Sequence, residues 1–318
     1  MFINQGKFIF TMLVDEELYK RILKKKKELD SLRPFSKASL RRLKENFDVE
    51  LTYNSNAIEG NTLTKGETRL VIEEGITIGG KSVREHFEAI NHRKAIDFIE
   101  SIVKEKKEIT REIICEINSL ILAGIEEEKG VYRLRRVHIE GASFVPAMPK
   151  LVPRLMEEYL EWLDKNKERI NMVDYVALAH EKFTFIHPFI DGNGRVARLL
   201  VNLLLMQKGY PPIVILKAER KKYIRALDKS SNEEYTDFVN FIARNTERAL
   251  SLWLNSLKIP EDDSEEYISL AEASKLTPYS QEYLSLLARK GKLETIKIGR
   301  NWVTTKKAVE EYVKRNRR

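Results

Sequence analysis

Through most of this chain apolar residues recur at i, i+3, i+4 and i+7, while the residues that interrupt such runs are scarce, with 14 glycines and 9 prolines in 318 residues. That pattern commits the chain to a mainly α fold with few, short strands. The spacing predicts helices over 14–32, 36–46, 65–73, 82–104, 110–123, 151–166, 171–185, 195–208, 221–230 and 235–257. Two segments break it. Val131 to Pro146 carries strand-forming residues on both sides of Gly141 and reads as a β-hairpin. Lys258 to Glu266 (KIPEDDSEE) is acidic, polar and interrupted by proline, and reads as a linker.

Charge and cysteine content narrow the classes further. One cysteine, Cys115, excludes a disulfide framework and a Cys-based zinc site, which points to a reducing, cytoplasmic setting. The longest early apolar run, Phe8 to Val14, is far below the ~18 residues of a spanning helix and lacks a cleavage site, so no membrane partner is expected. Lys24 to Lys27 lies between Leu23 and Leu29 on a helix and reads as a solvated face. The net charge of +8 is concentrated late, with twelve Lys and Arg against seven Glu from Glu265 onward. In that tail two short helical patterns, 269–275 and 280–290, precede a hairpin turning at Gly299-Arg300-Asn301 and a last helix. SLAEASKL and KLETIKIGRNWV resemble the excisionase/MerR-like winged helix-turn-helix family. The resemblance implies a small domain that docks DNA, the second helix in the major groove and wing cations on phosphates.

Three pattern matches fail on context. Gly75 to Ser82 (GITIGGKS) fits a P-loop but follows a helical pattern ending in Glu73-Glu74 rather than a buried strand. Gly192 to Ala197 fits a dinucleotide fingerprint, yet no parallel sheet surrounds it. His180-Glu181 lacks the second histidine of a zinc helix, because Thr184 stands there.

The window from His187 to Arg198 (HPFIDGNGRVAR) is different, because each residue type has a use around a nucleotide triphosphate. Gly192, Asn193 and Gly194 precede a helix and can present backbone N–H groups as an anion nest at its N-terminus. Asp191 can hold a magnesium ion bridging phosphate oxygens. Arg195 and Arg198 share a helix face and can clamp distal phosphates. His187 can take a proton from an incoming hydroxyl.

This window resembles the signature of the Fic family, H-x-F-x-[DE]-G-N-G-R-x-x-R, without a departure. His138 to Pro146 is placed like that family's flap, Gly209-Tyr210-Pro211-Pro212 resembles the turn after its motif helix, and Lys222 to Leu227 resembles its Y-x-x-A-L segment. The resemblance covers roughly residues 50 to 255. It implies a helical fold that transfers AMP from ATP to a Ser, Thr or Tyr hydroxyl of a target protein, or of itself, releasing pyrophosphate. His187 is then the base, Asp191 the metal ligand, Gly192, Asn193, Gly194, Arg195 and Arg198 the phosphate site, and Tyr223 a contact on the adenine side. The corresponding domains are an N-terminal helical region (1–80), a catalytic core (81–257), the linker (258–266) and the tail domain (267–318).

Ser55-Asn56-Ala57-Ile58-Glu59-Gly60 resembles the family's inhibitory motif, [ST]-x-x-x-E-[GN]. Locally, Ser55 and Glu59 share a face of a short helix and Gly60 supplies a left-handed cap. The resemblance implies autoinhibition, with Glu59 pairing Arg198 where the γ-phosphate must go, and removal of AMP by the same glutamate aligning a water. The flap edge, Arg136, Val137, His138 and Ile139, is expected to pair with an extended target segment. A homodimer gating the inhibitory helix is a further expectation. A second reading from another class is a DNA-binding regulator whose core modifies itself or senses nucleotide.

Overall fold

A computed structural model describes residues 12–138, 144–257, 267–298 and 301–315. Its elements are α1 (Glu16–Ser31), α2 (Lys37–Ile58), α3 (Lys65–Arg69) continuing into a π turn (Leu70–Glu74), α4 (Val83–Lys104), α5 (Arg111–Ile121), α6 (Val152–Asn166), α7 (Met172–Ile186), α8 (Asn193–Gln207), α9 (Arg220–Ser230) and α10 (Thr236–Leu257). After them come β1 (Tyr267–Ser269), α11 (Leu270–Lys275), α12 (Gln281–Arg289), β2 (Ile296–Ile298), β3 (Asn301–Thr305) and α13 (Lys306–Arg315).

Helix starts follow local chemistry. Ser82 caps α4 and Thr64 caps α3, each in a reciprocal box with the glutamate three residues on, while Thr110 and Asn171 cap α5 and α7 through their side-chain oxygens. Tertiary packing decides the rest. α7 and α8 lie against each other, with α4, α5 and α6 around them. From α8 alone Val196, Leu199, Leu200, Val201, Leu203, Leu204 and Leu205 are buried. At roughly 1.5–3 kcal/mol per buried side chain, this outweighs any cap and makes the start of α8 a rigid platform.

The chain divides into two compact units. One contains the described residues up to Ser31 together with Lys44–Leu250, so helices from the expected 1–80 region and from the expected 81–257 core share one body and residue 80 marks no division. The reason is packing: Leu18, Ile22, Val49 and Leu51 are as buried as the helices of the core. The other unit contains Leu32–Leu43 and the described residues from Ser251 onward. In it a small antiparallel sheet of order β1-β3-β2 pairs Ile296 with Val303 and Ile268 with Thr304. Ile268, Leu270, Leu284, Leu287, Leu293 and Val309 form its core beneath Tyr279, Trp302 and Tyr312. The two helices, the hairpin and the last helix occur where the tail pattern placed them, and β1 is an additional strand. The expected linker (258–266) and two of the three turn positions, 299 and 300, lie outside the described residues.

Among the described residues no helix is long and apolar enough to cross a membrane. Among the described residues the expected flap hairpin shows no β-ladder: 131–138 and 144–148 carry no strand, and 139–143, Ile139 included, lie outside the described residues. Its legs bond to the end of α7 and the turn after it, Arg133 N–H to the Pro188 carbonyl (2.9 Å) and Ala147 N–H to that of Phe185 (3.3 Å).

Candidate active site

The site is built on the connection from α7 to α8. His187 terminates α7 in a left-handed conformation (φ 49°), which an ordinary side chain adopts only under constraint. Asn193 supplies part of that constraint: its side chain accepts from Phe189 N–H (2.9 Å) and donates to the Phe189 carbonyl (2.8 Å), closing the loop on itself. Its amide is therefore engaged by the loop, and only its main chain belongs to the expected anion nest. Gly192, at φ 79°, opens α8. Asn118 of α5 donates to the Asp191 carbonyl (2.9 Å) and accepts from Gly130 N–H (2.9 Å).

Beside this loop lies a cavity of about 250 Å³ whose walls include Glu59, Val137, His138, Phe144, His187, Asp191, Gly192, Asn193, Gly194, Arg195, Arg198, Arg220 and Tyr223. The structure thus brings together nearly every residue singled out in the sequence. Ser55 stands behind Arg198 and Gly60 behind Glu59; Arg136 is exposed and is not among the cavity walls.

His187 Nδ1 faces the Thr184 carbonyl at 3.2 Å, which assigns the proton to Nδ1 and leaves Nε2 as the acceptor. Burial, with Arg133 adding to it, pushes the imidazole down to about 4, against the Thr184 bond and the carboxylates of Glu59 and Asp191. It is neutral at physiological pH, as a proton acceptor must be.

The inhibitory segment is the last turn of α2 with the two residues that follow it, Glu59 and Gly60, and α2 is longer than the 36–46 helix the pattern predicts. Arg198, 4% exposed, donates to Ser55 Oγ (3.0 Å), to the Ser55 carbonyl (2.9 Å) and to Glu59 Oε1 (2.7 Å). Burial would raise the Glu59 carboxyl, but Arg198 and Arg195 hold it below its ordinary value; the side chain keeps 38% exposure toward the cavity. Gly60, at φ 102°, lets the chain leave the helix directly after Glu59. Gly194 gives the Glu59 carboxylate its room: a Cβ there would stand 2.4 Å from Glu59 Oε1, so a side chain would push the end of Glu59 aside.

Asp191 is 39% exposed and accepts from Arg84 (2.8 Å), with Arg195 at 3.5 Å. Arg195 is also 3.4 Å from Glu88. Among the described residues no cluster of three metal-ligating side chains exists, and with Glu59 paired to Arg198, Asp191 is the carboxylate the loop itself offers. That fits magnesium completed by phosphates and water, not a closed protein cage. Tyr223 turns its ring to the cavity wall while its hydroxyl lies 2.9 Å from His180 Nε2, and burial raises its phenol. The P-loop look-alike is spent elsewhere: Lys81 donates to Thr62 and Ser82 caps α4.

Sequence reasoning missed Arg84, Glu88, Asn118 and Arg133. Arg84 and Glu88 come from α4, Asn118 from α5 and Arg133 from the segment between α5 and α6, and no local spacing signals contacts so distant in sequence.

Comparison with known proteins places this architecture. The Fic/DOC family profile matches residues 108–205. A Fic domain containing signaling protein from Bacteroides thetaiotaomicron superposes with a TM-score of 0.71 at 31% identity, covering 77% of this chain and 100% of that one. The chain belongs to the Fic family. Two curated Fic relatives, each named protein adenylyltransferase Fic, are 39% identical over 69% of this chain (Drosophila ananassae) and 36% identical over 77% (Nematostella vectensis). The chain spans about half the length of these curated Fic proteins, 44% and 58% respectively.

Proposed function

We propose that this protein is a protein adenylyltransferase, moving AMP from ATP to a hydroxyl of a target protein and held off at rest by Glu59. The observation that carries the reading is the Arg198–Glu59 pair, at 2.7 Å, inside a complete motif whose histidine is neutral and accepting. The curated relatives bearing that name support it.

In the reaction, the target hydroxyl gives its proton to His187 Nε2 as its oxygen bonds the α-phosphorus, and the α–β bridging oxygen departs with pyrophosphate. The nest of Gly192, Asn193 and Gly194 faces negative charge with main-chain N–H groups and the positive end of α8. Arg195 and Arg198 neutralise the distal phosphates once Glu59 withdraws. Asp191 would hold the magnesium ion, which supplies charge neutralisation to the phosphates when bound. While Glu59 keeps Arg198, it puts a carboxylate at the phosphate end and turns the α-phosphate away from in-line attack. Because Glu59 faces the cavity, it is also placed to orient a water for removal of AMP. The single cysteine supports a reducing, cytoplasmic setting.

A second reading has its own observation. In the C-terminal unit α11, a turn, α12, and the basic β2–β3 pair have the order of a winged helix-turn-helix. We propose that this unit contacts duplex DNA; gel retardation of the full chain, lost on removal of 267–318, tests it.

Transfer itself is tested by labelling Glu59→Gly with ATP carrying its label on either the α- or the γ-phosphate. Protein label from the α-position alone supports adenylylation; label from the γ-position contradicts it. Competition by UTP, GTP and CDP-linked donors fixes the base.

A further inference from the structure

Arg133 is 2% exposed, and no carboxylate pairs with it among the described residues. Burial accordingly lowers its affinity for the proton. A buried cation without a counter-ion is costly unless its donors are taken up. Here each of the three nitrogens donates to a backbone carbonyl: Nε to His187 (2.7 Å), Nη1 to Arg135 (3.0 Å), Nη2 to Ala147 and, at 3.4 Å, to Ile186. The main-chain N–H of the same residue reaches Pro188 (2.9 Å). One planar guanidinium therefore joins three things: the left-handed residue that carries the base, the incoming leg of the flap at Arg135, and its outgoing leg at Ala147. Among the described residues the two legs share no ladder, and Arg133 joins them instead.

We propose that Arg133 is a positioning residue that fixes the base and the target-docking flap in one geometry, so that a hydroxyl delivered along the flap arrives beside His187. This rests on the adenylyltransferase reading. Arg133 is not among the cavity walls, so it acts through the backbone of its partners. Only a forked donor with more than one nitrogen can serve carbonyls on both legs and at the hinge together; a lysine ammonium reaches part of the set.

The test uses the full chain carrying Glu59→Gly, alone and combined with Arg133→Gln or Arg133→Lys, with magnesium and ATP as probes. Self-modification is followed by intact mass, ATP affinity by calorimetry, and the His187 ring by NMR of histidine-labelled protein. Misplacing a reacting group by about 1 Å costs on the order of a hundredfold, so the Gln variant should lose about tenfold to a hundredfold in rate while ATP affinity stays within about twofold. The His187 signals should shift and broaden, trypsin should cut faster after Arg135 and Arg136, and the Lys variant should fall between. A folded Gln variant with an unchanged rate, or one whose ATP affinity falls as far as its rate, overturns the proposal. Should the Gln variant not fold, full activity in the Lys variant overturns it and an intermediate rate supports it. If Glu59→Gly alone transfers nothing, the proposed function fails, and the His187 signals still decide the role of Arg133.

Discussion

The phosphate end of the site and the flap are held in opposite ways. At the phosphate end Arg198 is buried and carries three bonds to Ser55 and Glu59, and Asp191 is engaged by Arg84. In the flap Leu134 is 91% exposed and Val145 80% exposed, and the legs hang from Arg133. The first region is satisfied by partners within the chain, whereas the second leaves apolar side chains open. Under the proposed function, a site whose nucleotide half is satisfied from within and whose target half is open is one that is released before it is used.

The comparison breaks first at the base. His187→Ala in a Glu59→Gly background should lower transfer by about 10²–10⁴-fold, the share of a positioned proton acceptor, read by self-modification rate. Releasing the phosphate end comes next: Glu59→Gly should raise transfer over wild type by roughly 5–150-fold, the range of a coupling of ~1–3 kcal/mol. A smaller effect follows from pH. Burial pushes His187 down to about 4 and His180 and His92 to about 3. Each is neutral when folded, whereas the unfolded chain takes up protons below about 6.5, so stability is lost as pH falls through that value toward the folded pKa. Denaturant melts at pH 7 and pH 5 should differ by roughly 1–2 kcal/mol per histidine, the stability being lower at pH 5. In contrast, the base limb of the Glu59→Gly rate profile should lie below pH 5. Ser55→Ala removes one bond to Arg198 and should loosen the latch by ~1 kcal/mol, raising wild-type self-modification by about fivefold. Smallest of all, Leu134→Asp and Val145→Asp should leave stability within about 0.5 kcal/mol, because neither side chain packs on the core. A large loss of stability there would erase the contrast between the two regions.

The helices were readable because their apolar faces repeat at helical spacing, and the ends of α4, α5 and α7 matched because Ser82, Thr110 and Asn171 cap them locally. α2 was underestimated: Phe47 to Ile58 holds β-branched residues and two asparagines with poor intrinsic helicity, and burial of Val49, Leu51 and Thr52 overrides that preference. The 187–198 window and Glu59 were legible because their chemistry is compressed into adjacent positions. Arg133, Asn118 and Arg84 were not, since each acts on a loop distant in sequence, and a lone polar residue in a helix or loop carries no sign of its partner. The flap misled for a related reason. Its residues have strand propensity, but the carbonyls of its legs are claimed by a guanidinium and no paired strand forms among the described residues.

The central claim is that Glu59 restrains a transferase whose base is His187. Intact-mass spectrometry of wild type, Glu59→Gly and Glu59→Gly/His187→Ala after incubation with magnesium and ATP tests it most directly. The account predicts AMP adducts on the single variant, few on wild type and none on the double variant. Adducts that persist without His187, or that are as frequent on wild type as on Glu59→Gly, would contradict it.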